Sequence, residues 1–156
     1  GAAHGGWTQV AAARVGAGER RGGTVHAVDI VAIEPVAGAA AIQADLNDPD
    51  QARALLARLA LPVDVVLSDM APATTGHAAT DHLRIVALGE TAAGFADTVL
   101  RPGGALVAKM WQGGAEAGLL ARLKQRYARV RHVKPAASRA DSAEVYVVAL
   151  GFRGGG

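Results

Sequence analysis

The chain of 156 residues contains no cysteine. That excludes disulfides, cysteine-ligated zinc and a thiol nucleophile. Aromatic residues are scarce, at 4%, while 51% of the chain is hydrophobic, so the core must be aliphatic. Lysine is scarce as well, with three against 13 arginines, and alanine occurs 36 times. This bias is compositional and carries no function. No run of about 18 apolar residues occurs, so no membrane span is expected. No secretion-signal pattern is visible. The chain starts Gly1-Ala2-Ala3-His4, without methionine. Its length suits a single domain over residues 1–156.

Charge is plentiful but uneven. Residues 1–100 hold six basic and 11 acidic side chains, a net −5; residues 101–156 hold ten and three, a net +7. Seven basic residues and no acid lie between Arg122 and Arg139. Such a stripe is either the footprint of a polyanionic partner or a solvated face in an arginine-rich chain.

Hydrophobic patterning predicts strands near residues 24–30, 39–44, 63–67, 105–110, 130–133 and 145–150. The third reads as a buried strand. Helices are expected from Pro49, over residues 81–100 through Leu83, Val86, Phe95 and Val99, and over 116–124. Asp48 can cap the first of these, with Pro49 at its first position and Gln51 where a capping-box partner belongs. Strands alternating with helices predict an α/β fold with a mostly parallel sheet. The last two strands have no helix between them and should be antiparallel neighbours.

Asp29, Asp45 and Asp69 follow three successive expected strands, at the sheet edge where α/β folds bind ligands. A glycine-rich turn at residues 1–7 precedes a helical pattern and would let a ligand approach the backbone. Singly, such features are commonly structural turns and caps. Together they point to a nucleoside ligand, either a nicotinamide dinucleotide or S-adenosylmethionine. The chain lacks G-x-G-x-x-G, which weakens the dinucleotide option.

Four blocks then matter: GAAHGGW at 1–7, SDMAP at 68–72, VAKMWQGG at 107–114 and KPAASRADSAEVYVVALGF at 134–152. DHL at 81–83 and LRPGG at 100–104 lie between them. In these blocks and their order the chain resembles the FtsJ/RrmJ (RlmE) family of S-adenosylmethionine-dependent RNA 2′-O-methyltransferases. The resemblance implies a Rossmann-like methyltransferase fold with an antiparallel last strand. It implies methyl transfer to a uridine ribose in large-subunit ribosomal RNA, within the ribosomal particle. It further implies a cytoplasmic monomer without metal.

Position by position, Gly5, Trp7, Asp29, Asp45 and Asp69 match cofactor-binding positions. Asp69, Lys109 and Glu144 match three members of a Lys-Asp-Lys-Glu catalytic tetrad. Lys109 could act as a base or as a cation orienting the 2′-oxygen. In the basic stretch, Lys134 and Arg139 are the foremost candidates for RNA phosphates. His4 and Ala73 stand where the family usually has Pro and Asn. The family's first strand and first tetrad lysine lie upstream of the glycine loop. The chain is therefore expected to be an N-terminally truncated enzyme, weak or inactive alone. A catalytically silent RNA-binding module in ribosome assembly is the alternative.

Overall fold

A computed structural model describes residues 1–155. Two compact units result, Gly1–Ala60 and Leu61–Gly156, and each is described by itself.

In the first unit, helix α1 (Gly6–Val15) follows two consecutive left-handed residues, His4 at φ 67° and Gly5 at φ 72°. Glycine adopts this region freely, and histidine seldom. A proline, fixed near φ −65°, could not occupy His4's conformation. The helix ends at Gly16, also left-handed. Strands β1 (Val25–Asp29) and β2 (Ala39–Gln43) then pair in parallel, with Val28 opposite Ile42 and Asp29 opposite Gln43. Helix α2 (Pro49–Arg58) starts as its sequence suggests: the Asp48 carboxylate accepts hydrogen bonds from the amides of Asp50 and Gln51. The Gln51 side chain, however, accepts from the amide of Asp45, three residues upstream of the cap. The expected box thus ties the helix start to the end of β2.

The second unit holds β3 (Val63–Ser68), α3 (Ala78–Val99), β4 (Leu100–Trp111), α4 (Ala117–Arg126), β5 (Tyr127–Val133) and β6 (Glu144–Phe152). Its sheet has the order β3-β4-β6-β5. β3 and β4 are parallel, and β6 runs antiparallel to both β4 and β5. Only the last strand is therefore reversed, as expected. Val63 pairs with Leu100 and Val65 with Ala105, so the Arg101-Pro102-Gly103-Gly104 turn loops out of register at the start of β4.

One face of this sheet carries the core. Leu106, Ala108 and Met110 of β4 and Val145, Val147 and Ala149 of β6 are buried with Ala93, Ala96, Leu119 and Leu123 of α3 and α4. Two apolar expectations are corrected here. β3 is not a buried strand: it is the edge of its sheet, and Val65 and Leu67 are exposed on it. Leu83 lies within α3 but points outward, exposed, while Ile85, Val86 and Gly89 face inward. Among the described residues no helix is long and apolar enough to cross a membrane.

Leu106 is fully enclosed at the centre of this core. Leu106→Ala should lower the unfolding free energy by about 2–5 kcal/mol, read from denaturant titration.

Candidate active site

The proposed site residues fall into two groups, one in each unit. In the first unit they gather around the C-terminal ends of β1 and β2. The Asp29 carboxylate accepts a hydrogen bond from the Ala3 amide at 2.8 Å through one oxygen. It accepts another from the Val31 amide at 3.1 Å through the other. Burial works to raise the Asp29 pKa, but these amide hydrogen bonds, together with the Gly1 amino terminus, outweigh it and hold the group below its ordinary range. Asp29 thus fastens the glycine turn to the end of β1. Oδ1 still has a lone pair for a further donor, while Oδ2 also lies 3.5 Å from the Gly1 amino terminus.

Asp45 lies beside it, because the Ala44 amide donates to the Asp29 carbonyl at 2.9 Å. One Asp45 oxygen accepts from the Asn47 amide at 2.8 Å. Gly5 is buried, and a Cβ added there would meet Val36 Cγ2 at 3.4 Å. Trp7 sits half-buried in the first turn of α1.

In the second unit, sheet register assembles the other group. Lys109 on β4 is opposite Tyr146 on β6, and Trp111 is opposite Glu144. Asp69 follows the end of β3. Lys109 Nζ lies 3.0 Å from Asp69 Oδ1 and 3.8 Å from Glu144 Oε1. The lysine side chain is only 12% exposed, against 28% for Asp69 and 46% for Glu144, so the cluster opens to solvent at Glu144. Three residues far apart in sequence, Asp69, Lys109 and Glu144, are thus brought together.

Tyr146 joins them, and sequence reasoning had missed it. Its hydroxyl donates to Asp69 Oδ1 at 2.9 Å. Burial, this hydrogen bond and the charges of Asp69 and Glu144 hold the phenol well above its ordinary pKa, so it remains a neutral donor. The signal was available: Glu144 and Tyr146 are two apart in a strand and share a face.

The basic stretch divides. Arg122 Nη2 is 2.7 Å from Asp97 Oδ2, and Arg126 Nε is 3.6 Å from Asp97 Oδ1. Arg126 also stacks over the Phe152 ring, 5.2 Å from its centroid. Lys134 turns back on its own loop, donating to the Ser142 carbonyl at 2.6 Å and the Ala140 carbonyl at 3.2 Å. It therefore braces the loop that leads into Glu144. Arg139 is exposed on that loop. Among the described residues, no cluster of three or more His, Asp or Glu side chains is spaced to hold a metal ion.

A family model described as "FtsJ-like methyltransferase" matches residues 1–152. The ribosomal RNA large subunit methyltransferase E of Azorhizobium caulinodans is 57% identical over 154 residues, which are 99% of this chain and 64% of that protein. The protein of the same name from Granulibacter bethesdensis is 55% identical over 156 residues, 100% of this chain and 65% of its own length. The chain thus spans a little under two thirds of these relatives. Among solved structures, a provisionally named ribosomal RNA methyltransferase from Plasmodium falciparum superposes with a TM-score of 0.81 at 24% identity. The superposition covers 96% of this chain and 81% of that one. At this identity the likeness shows a shared fold.

The depressed Asp29 pKa fixes the sign of a pH dependence. A carboxylate whose pKa is lower in the folded state stabilises the fold above its unfolded pKa, and the gain is lost as pH falls through the folded value. Unfolding followed from about pH 6 to about pH 2 should therefore show a shallower acid limb in Asp29→Asn than in the parent chain.

Proposed function

The chain belongs to the FtsJ-like methyltransferase family, and from that premise we propose that it methylates a ribose 2′-hydroxyl of ribosomal RNA, using S-adenosylmethionine. The finer reading is a uridine of the large-subunit RNA, with residues 1–156 acting as one methyltransferase domain. The observation that carries it is the Lys109 ammonium held by Asp69 at 3.0 Å and Glu144 at 3.8 Å.

The residues present fit the cofactor. Bound S-adenosylmethionine would supply an electrophilic methyl group on a sulfonium sulfur. Asp29, with spare acceptor capacity on Oδ1, suits a ribose hydroxyl. The left-handed backbone at Gly5 permits close approach, Trp7 lies in the first turn of the helix that follows, and Asp45 follows the end of β2 beside Asp29.

Methyl transfer to a hydroxyl depends on holding the oxygen in line and on managing its proton. An ammonium has three N–H donors. Asp69 and Glu144 account for two directions at Lys109, and the third can be directed at the 2′-oxygen. This arrangement favours Lys109 as an orienting cation. Tyr146, donating to Asp69, fixes the carboxylate that fixes the lysine. Glu144, the most open member, faces the side from which RNA must arrive. The 2′-hydroxyl requirement makes RNA, and not DNA, the acceptor.

RNA contacts are assigned anew among the cations. Arg122 and Arg126 are paired with Asp97, while exposed Lys134, held only by neutral loop carbonyls, keeps its charge and stays a candidate. Arg139 stays a candidate, joined by Arg129 and Arg131, which project from the edge strand β5 and are exposed.

Lys109→Ala should reduce transfer of a labelled methyl group to ribosomal RNA by about 100-fold or more while leaving RNA affinity near that of the parent. An unchanged rate would remove Lys109 from the mechanism and favour a silent RNA-binding role. In RNA binding, alanine at Arg129, Arg131 or Arg139 should each reduce the slope of log K against log salt by roughly 1, whereas Arg122→Ala should leave it unchanged.

A further inference from the structure

The DHL segment at residues 81–83 has no role in the chemistry described above. Its first two members occupy the opening turns of α3, and both are directed at loops that flank the cluster. Asp81 is buried, and its Oδ1 accepts from the Thr75 amide at 2.8 Å and the Thr75 hydroxyl at 2.7 Å. The Thr75 hydroxyl oxygen in turn accepts from the His77 amide at 3.2 Å. One turn further along α3, Arg84 Nη1 donates to the Ala73 carbonyl at 3.4 Å. Residues 69–77 have no helix or strand of their own. The segment that starts at Asp69 is thus tied to α3 at Ala73 and Thr75.

His82 points to the other loop, the one that leaves β4 just after Lys109. Its Nε2 is 3.4 Å from Glu116 Oε2, and both side chains are largely buried. This is ion-pair range without hydrogen-bond geometry, and neither atom has a hydrogen-bond partner among the described residues. The imidazole also fills the space that a side chain at Gly113 would need: a Cβ there would overlap the ring, lying 2.7 Å from Nδ1. Beside Gly113, the Gln112 amide donates to the Ala143 carbonyl at 3.0 Å, immediately before Glu144.

We propose that Asp81 and His82 are positioning residues: the first turns of α3 hold the Asp69 loop with one side chain and the post-Lys109 loop with the next. Helix α3 is anchored in the core by Ile85, Val86 and Gly89. Both loops therefore take their positions from one rigid element. The 3.0 Å contact between Lys109 and Asp69 depends on each loop keeping its place, and misplacement by about 1 Å can slow a positioned reaction about 100-fold. An acid in the first turn of a helix also interacts with the helix dipole. That role alone would not direct its oxygen at Thr75.

The proposal rests on the methyltransferase reading, so its test has one arm that needs activity and one that does not. The full chain and its Asp81→Ala, Asp81→Asn, His82→Ala and Gly113→Ala variants would be compared well below their melting temperatures. Methyl transfer is measured as kcat and as KM for RNA, and amide hydrogen exchange is followed at Thr75 and Gln112. Asp81→Ala, His82→Ala and Gly113→Ala should each lower kcat by about tenfold or more with KM changed by less than about threefold. Asp81→Asn keeps an oxygen that accepts from both Thr75 donors and should retain most of kcat. Exchange should quicken at Thr75 in Asp81→Ala alone, and at Gln112 in His82→Ala and Gly113→Ala. An active parent with kcat unchanged in the alanine variants, or a change confined to KM, would overturn the proposal. So would Asp81→Asn as slow as Asp81→Ala. If the parent transfers no methyl group, exchange alone decides: quickening at the named amides upholds the brace, and unchanged exchange overturns it.

Discussion

The strand β6, reversed and inserted between β4 and β5, is the constraint on which the second unit depends. Its alternation buries Val145, Val147 and Ala149 against α3 and α4 and lifts Glu144 and Tyr146 onto the opposite face. Antiparallel register then sets Tyr146 opposite Lys109 and Glu144 opposite Trp111. A slip of one residue would exchange the two faces, exposing valines and burying a carboxylate. The hydrophobic pattern that folds the sheet is therefore the same pattern that assembles the charged cluster. Stability and chemistry share one register, with the core on one side and the reactive groups on the other.

The two groups of site residues use carboxylates differently. In the first unit Asp29 spends a hydrogen bond from each oxygen on the backbone, at Ala3 and Val31, and so shapes the glycine turn. In the second unit Asp69 meets a cation and a phenol at the same oxygen, Oδ1. A carboxylate that accepts from an ammonium and a hydroxyl at once is held in one orientation, which positions the lysine in turn. Such a cluster acts through placement more than through any single strong base, as suits a transfer in which two atoms must be brought into line.

Much of this was legible in the amino-acid sequence, for identifiable reasons. The alternation of Glu144-Val145-Tyr146-Val147 announces a half-buried strand, and Asp48-Pro49 announces a helix start, because both are local signals. The association of Asp69, Lys109 and Glu144 has no local signal. It follows from sheet register, and only the likeness of whole blocks to a known family anticipated it. Where the reading went astray, tertiary context decided. Val65 and Leu67 look like core residues, yet β3 is an edge strand and exposes them. Tyr146 went unnoticed because a tyrosine in a valine-rich strand reads as packing until a carboxylate is found at its hydroxyl.

The scarcity of aromatic residues has a practical consequence in the placement of the two indoles. Trp7 opens α1 in the first unit, and Trp111 closes β4 in the second, two residues beyond Lys109. Each unit thus carries its own intrinsic fluorophore. A Trp7→Phe chain keeps only the indole of the second unit, and a Trp111→Phe chain only that of the first. The molecule comes with an optical probe in each unit, and no label has to be added.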